Sequence, residues 1–150
     1  MPAEPAPAAV LVDANLVIWA HHEGFAQHAP AREWWERTLT ETVLVGIPWP
    51  TTLAFLRVST HGRALDNPLT IDAAWSVARG WLARPNVRVP VPTDRHEAIL
   101  GELLVAGRAA GNHTTDAHLA ALALEWGLEL QSAHRDFARY PGLRWRDPLE

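Results

Sequence analysis

Val10-Leu11-Val12-Asp13-Ala14-Asn15 is the stretch whose reading decides the fold. Three apolar residues, two of them β-branched, run straight into an aspartate, and an apolar run Leu16-Val17-Ile18-Trp19-Ala20 follows at once. The first run predicts a buried parallel strand over residues 10–13 with a carboxylate at its C-terminal end. A helical segment from about Leu16 then leaves the sheet. In open parallel sheets that end of the strands is where ligands bind. Two more aspartates, Asp116 and Asp136, stand at comparable junctions late in the chain.

The alternation of strand and helix continues outward. Pro30 suits the first turn of a helix over 31–40, with Glu33 and Glu36 near its start. Residues 43–47 read as a second strand, punctuated by Pro48 and Pro50, and Thr51 or Thr52 caps a helix to about Ser59. Residues 61–68 are a loop, Thr70 caps a helix over 71–83, residues 87–89 are a short strand, and Thr93 or Asp94 caps a helix to about Arg108. After a turn at Gly111-Asn112, Thr114 or Thr115 caps a helix over 116–126 that ends at Gly127. A strand over 128–131, a short helical turn over 136–139 and an edge strand over 143–145 complete the chain. This pattern predicts one α/β domain over residues 10–150, a sandwich built on a mainly parallel sheet.

Composition narrows the function. Of 150 residues, 48% are apolar, enough for a globular core. No cysteine is present, which excludes a disulfide scaffold and a thiolate zinc site and is compatible with a reducing cytoplasm. No apolar run reaches the length of a membrane span. Residues 1–9 hold three prolines and neither a basic nor a long apolar segment, so they read as an extended or disordered tail and not as a signal peptide. The net charge is −4, and all 13 basic residues are arginine. That balance argues against simple basic-patch binding of nucleic acid, although bound metal ions and local arginine clusters can supply a positive field.

Asp13, Asp116 and Asp136 each fall where an α/β fold presents side chains to one edge of its sheet. Three carboxylates a few ångströms apart repel; at about 4 Å each pair costs roughly 4 kcal/mol at an effective dielectric near 20. A divalent cation neutralises such a cluster, and a donor set of oxygens suits Mg²⁺ or Mn²⁺. Plainer readings stand beside this one. Asp116 is also a favourable charge at a helix start, and Asp136 also suits the cap of a short turn. Asp13, directly after the strand, has no evident structural role. Asn15 is a helix cap or part of a ligand shell. The eight histidines contain no His-x-x-x-His pair on a helix, which leaves zinc without its usual spacing. Trp34 and Trp35 are adjacent on a helix and cannot both face one narrow stripe, so one is expected to meet a partner or to pack beneath a loop.

Taken in order, Val12-Asp13-Ala14-Asn15-Leu16, the stretch 111–123 (Gly-Asn-His-Thr-Thr-Asp-Ala-His-Leu-Ala-Ala-Leu-Ala) and the stretch 135–143 (Arg-Asp-Phe-Ala-Arg-Tyr-Pro-Gly-Leu) resemble the PIN-domain ribonucleases, specifically VapC-type toxins of toxin–antitoxin pairs. The stretch 47–57, from Ile47 to Arg57, is similar to an actinobacterial subgroup of them. The resemblance covers residues 10–148. It implies a three-layer α/β/α sandwich and an acidic pocket that binds Mg²⁺ or Mn²⁺ and hydrolyses RNA. Asp13, Asp116 and Asp136 match the first, third and late acidic positions of the family. It also implies a VapB-type antitoxin partner, a homodimer and a cytoplasmic setting. Many members carry a glutamate on the helix after the second strand. Here that position falls near Ala54, and no acid lies between Glu41 and Asp66. Glu102 is a candidate replacement or an exposed helix residue. At His134 relatives often have Asp or Asn. Asn15, Thr115, His134 and Glu102 are therefore accessory candidates, and Arg135 and Arg139 are candidates for RNA phosphate contact or solvated surface charge.

Two other functions compete. A phosphatase could use Asp13 as nucleophile, but the haloacid-dehalogenase type usually has a second aspartate where this chain has Asn15, and often a lysine. A P-loop enzyme is excluded for want of its lysine. A PIN fold without its second acid could instead be an RNA- or antitoxin-binding module with weak catalysis.

Overall fold

The computed structural model describes residues 8–150. In chain order the elements are β1 (Ala9–Val12), α1 (Ala14–His21), α2 (His28–Glu41), β2 (Leu44–Gly46), α3 (Trp49–Ser59), α4 (Ile71–Leu82), β3 (Val87–Arg88), α5 (His96–Ala106), α6 (His113–Trp126), β4 (Glu129–Gln131), a 3₁₀ turn (Arg135–Arg139) and β5 (Trp145–Arg146). The sheet runs β3-β2-β1-β4-β5, and every pair is parallel. β1 is central, with Val10 opposite Val45 on one side and Glu129 on the other.

The pleat sorts β1 between two cores. Val10 and Val12 face a cluster with Leu16, Val17, Trp34, Trp35, Phe55 and Trp81, supplied by α1 to α4. Leu11 faces the opposite way, into Leu103, Leu119, Leu122, Leu130 and Phe137, supplied largely by α5 and α6. This is the three-layer sandwich, and it explains why β1 is apolar on both faces. The chain order also reverses at β1, whose neighbours are β2 and β4. A crevice opens at such a switch point, outside the carboxyl ends of the strands.

Several local expectations shift. β1 starts at Ala9, and residues 1–7 of the expected tail lie outside the described residues. α3 is not capped by Thr51 or Thr52. It starts at Trp49 after Pro48, with Pro50 in its first turn, where a missing N–H costs nothing. The Thr51 hydroxyl instead donates to the Val12 carbonyl at 2.8 Å. α5 starts at His96 with Arg95 as its N-cap, not at Thr93 or Asp94; the Thr93 hydroxyl donates to Glu125 of α6 at 2.7 Å and accepts from Arg95 N–H at 3.2 Å, one residue short of the helix. α6 starts at His113, three residues before Asp116. Thr70 does cap α4, accepting from Ala73 N–H at 3.2 Å, and Gly127 closes α6 at φ +67°. Neither Trp34 nor Trp35 faces outward; both are buried. Trp34 Nε1 donates to Gln131 Oε1 at 2.8 Å, while the Trp35 ring meets Trp81 of α4 edge-on. α2 thus has partners on two sides, so its buried face is wider than one stripe.

Candidate functional site

Asp13 is the residue at which β1 turns into α1. Its backbone N–H donates to the Gln131 carbonyl at 3.0 Å, continuing the β1–β4 pairing, and its extended dihedrals make it the N-cap of α1. The side chain caps the helix by accepting from Ala14 N–H at 2.8 Å through Oδ1. The sequence-based view that Asp13 lacks a structural role is therefore corrected: the capping residue is Asp13, and Asn15 lies inside α1. Oδ2 accepts from Ser132 Oγ at 2.7 Å.

Ser132 is fully buried just beyond β4 and acts as a hub. Besides donating to Asp13, its oxygen accepts from His134 N–H at 3.0 Å and from Asn15 Nδ2 at 3.4 Å. Burial pushes the Asp13 pKa above the usual carboxylate range. The bonds from Ser132 and Ala14 pull it back in part, the Asp116 charge raises it again, and His134 lowers it.

Asp116 stands in the first turn of α6 and Asp136 on the 3₁₀ turn, facing each other across two imidazoles. Asp116 Oδ2 is 3.4 Å from His134 Nδ1 and 3.5 Å from His113 Nδ1. Asp136 Oδ2 is 3.4 Å from His134 Nε2 and 3.7 Å from the same His113 Nδ1. The two rings lie nearly parallel, 15° apart in plane. His113 Nδ1 is buried without a hydrogen bond of good geometry.

The PIN domain family model matches residues 10–143, nearly the whole chain. The chain belongs to the PIN domain family. This PIN domain is 38% identical over 140 residues to Ribonuclease VapC33 of Mycobacterium tuberculosis, covering 93% of this chain and 98% of that protein. It is 36% identical over 138 residues to Ribonuclease VapC37 of the same species, covering 92% and 96%. In fold it is similar to VapBC-1 from nontypeable Haemophilus influenzae, with a TM-score of 0.64 at 20% identity over 94% of this chain and 98% of that one.

Of the residues picked from sequence, the PIN fold brings Asp13, Asn15, Asp116, His134 and Asp136 together. Glu102 and Thr115 are exposed and take part in none of these contacts. Arg135 forms an outer ion pair with Glu150 at 2.7 Å. Arg139 is half-buried, donating to the Gly107 carbonyl at 3.2 Å and lying 3.8 Å from Asp136 Oδ1. On α3, half-buried Ala54 stands near where many relatives have their second acid. Sequence reasoning missed Ser132 and His113. The signal for Ser132 was its place: a small hydroxyl directly after a buried strand, on the same sheet edge as Asp13.

The donor set fits a hard cation. The carboxylate oxygens of Asp13, Asp116 and Asp136 suit Mg²⁺ or Mn²⁺, and the buried His113 Nδ1 beside Asp116 and Asp136 has no hydrogen-bond partner of its own. Among the described residues no three His, Asp or Glu side chains already stand as a ligand set. Mg²⁺ keeps several waters and needs only one or two carboxylates, so a sparse set suffices.

Proposed function

We propose that this PIN domain is a divalent-metal-dependent endoribonuclease, the toxin of a type II toxin–antitoxin pair, which hydrolyses RNA phosphodiester bonds. The observation that carries the reading is the meeting of Asp116 and Asp136 around His113 and His134, with Asp13 tied to His134 through Ser132, at the switch point of the sheet. Names of the relatives at 36–38% identity support the ribonuclease activity. Mg²⁺ or Mn²⁺ held by Asp13, Asp116 and Asp136 would supply an activated water and a Lewis acid for the phosphoryl oxygen.

The chain's own residues prepare that chemistry. Ser132 and Ala14 N–H fix both oxygens of Asp13, so the carboxylate needs no reorientation on binding a cation. Burial disfavours its charged form, so a positive charge bound beside it would favour the ionised carboxylate. His134, half-exposed between Asp116 and Asp136, can hold a proton at Nδ1 or Nε2 against either carboxylate. Arg135 at the rim can exchange its exposed Glu150 partner for a phosphate. With three acids, one metal position is well held, and a second fills only when RNA phosphate adds ligands. A VapB-type antitoxin and a second copy of the chain are the expected partners, in the cytoplasm.

Asp13 makes a poor phosphatase nucleophile, since both its oxygens already accept hydrogen bonds, from Ala14 N–H and Ser132. Ala54 favours the second reading, an RNA- or antitoxin-binding module with weak catalysis. Cleavage of folded RNA in Mn²⁺ and in EDTA, by the parent, Asp13→Asn and Glu102→Gln, separates the two. The proposal expects metal-dependent cleavage by the parent and by Glu102→Gln, and none by Asp13→Asn. RNA binding without cleavage by the parent selects the binding module, and an inactive Glu102→Gln shows that Glu102 replaces the absent acid.

A further inference from the structure

The carboxylates of the site come from separate elements, and the gap between Asp116 and Asp136 depends on how α6 is held against the 3₁₀ turn. Besides the contacts among His113, His134 and the two acids, Tyr140 and Arg139 hold the 3₁₀ turn against the ends of α5 and α6. Tyr140, which closes the 3₁₀ turn, is buried and donates its hydroxyl to the carbonyl of His113 at 3.0 Å, the first residue of α6. Arg139 in the last turn reaches the other way. Its Nη1 donates to the carbonyl of Gly107, at the end of α5, and its Nη2 lies 3.8 Å from Asp136. Gly107 is shaped to this arrangement: a Cβ there would come within 2.7 Å of Tyr140 Cε1.

We propose that Tyr140 and Arg139 are positioning residues that brace the α5–α6 turn against the 3₁₀ turn and thereby set the gap between Asp116 and Asp136. The brace spans the two elements that carry those acids, with one end on the residue three before Asp116 and the other three to four residues from Asp136. The field at the phenol agrees with this placement. Burial raises the Tyr140 pKa, and the charges of Asp116 and Asp136 both raise it further against the opposing effect of Arg139. The hydroxyl therefore senses both carboxylates. A gap set from outside lets the acids be held at a separation that their mutual repulsion opposes. A cation held by these acids would then depend on the brace for their spacing.

The inference rests on the metal reading above, and its test keeps the two apart. Mn²⁺ affinity of the untagged protein is measured from the electron paramagnetic resonance signal of free Mn²⁺, with RNA cleavage recorded alongside. Tyr140→Phe keeps the ring and removes only the hydroxyl. Arg139→Lys keeps the charge but cannot span both contacts. Trp126→Phe is the control, because it removes a comparable bond, Trp126 Nε1 to the Val91 carbonyl at 2.9 Å, at the far end of α6. A lost neutral hydrogen bond corresponds to roughly a three- to tenfold weaker Mn²⁺ affinity in Tyr140→Phe. A similar direction is expected for Arg139→Lys and no change for Trp126→Phe. Cleavage at saturating RNA falls with the affinity and is recovered by raising Mn²⁺. Mn²⁺ affinity within twofold of the parent in Tyr140→Phe overturns the brace, as does equal weakening in Trp126→Phe. A parent that binds no Mn²⁺ overturns the metal reading itself, and the brace with it.

Discussion

Replacing Ser132 by alanine removes one oxygen from the centre of the site and leaves three groups without a partner. Asp13 Oδ2 loses its 2.7 Å donor, and His134 N–H and Asn15 Nδ2 lose their acceptor. Ser132 is fully buried, so water does not readily replace the hydroxyl. A hydrogen bond to a charged group contributes about 1.5–3 kcal/mol. In a chain of this size each kcal/mol moves the midpoint by roughly 2–4 °C. The variant should therefore melt roughly 3–12 °C lower at neutral pH without metal. The pH dependence has a definite sign. Burial raises the folded-state pKa of Asp13, so its contribution to stability is present below the unfolded value of about 3.9 and is lost as pH rises through the folded value. The Ser132 bond opposes that loss, because it favours the ionised carboxylate. The cost of Ser132→Ala is thus largest above the folded pKa and shrinks in acid. Thermal unfolding of parent and variant across that range, in EDTA, measures it. A midpoint unchanged at neutral pH, or a cost that grows in acid, would refute the reasoning.

Asp13→Asn should abolish cleavage yet raise the melting temperature of the metal-free protein at neutral pH, since it removes a buried ionised carboxylate whose pKa is pushed up; calorimetry in EDTA reads the sign. Glu125 behaves oppositely. Its side chain is fully buried and accepts from Thr93 N–H at 2.8 Å, Thr93 Oγ1 at 2.7 Å and His96 Nδ1 at 2.6 Å. Burial pushes its pKa up, but those bonds together outweigh it and hold the carboxyl below its usual value. Stability from Glu125 is therefore present above the unfolded pKa near 4.3 and lost as pH falls through the folded one. Glu125→Gln should cost about 1–3 kcal/mol in urea unfolding at pH 7, with a smaller cost in acid.

The sandwich and its parallel sheet were legible because they rest on patterns with a long reach: an apolar strand ending in an acid, helix starts marked by acids and threonines, and a glycine that ends α6. Helix starts were read less well. Thr51 and Thr93 look like caps in sequence, but each hydroxyl donates to a distant partner, Val12 and Glu125, that no local window contains. Asp13 was assigned no structural role because its capping bond to Ala14 and its bond to Ser132, 119 residues away, become visible only after folding. His113 was passed over for a similar reason: it reads as an ordinary helix start until the 3₁₀ turn places Asp136 beside it. Trp34 and Trp35 were read against a single stripe, whereas α2 packs against both the sheet and α4.

The central claim is that the acids at the switch point hold the ion that cleaves RNA. Its most direct test is an anomalous difference map from a crystal of the parent protein soaked in Mn²⁺ and recorded at the manganese absorption edge. The account predicts a peak within about 2 Å of carboxylate oxygens of Asp13 and Asp116, with His113 and His134 displaced from their places between Asp116 and Asp136. Manganese bound elsewhere while Asp13 keeps only Ser132 and Ala14 as partners would contradict it.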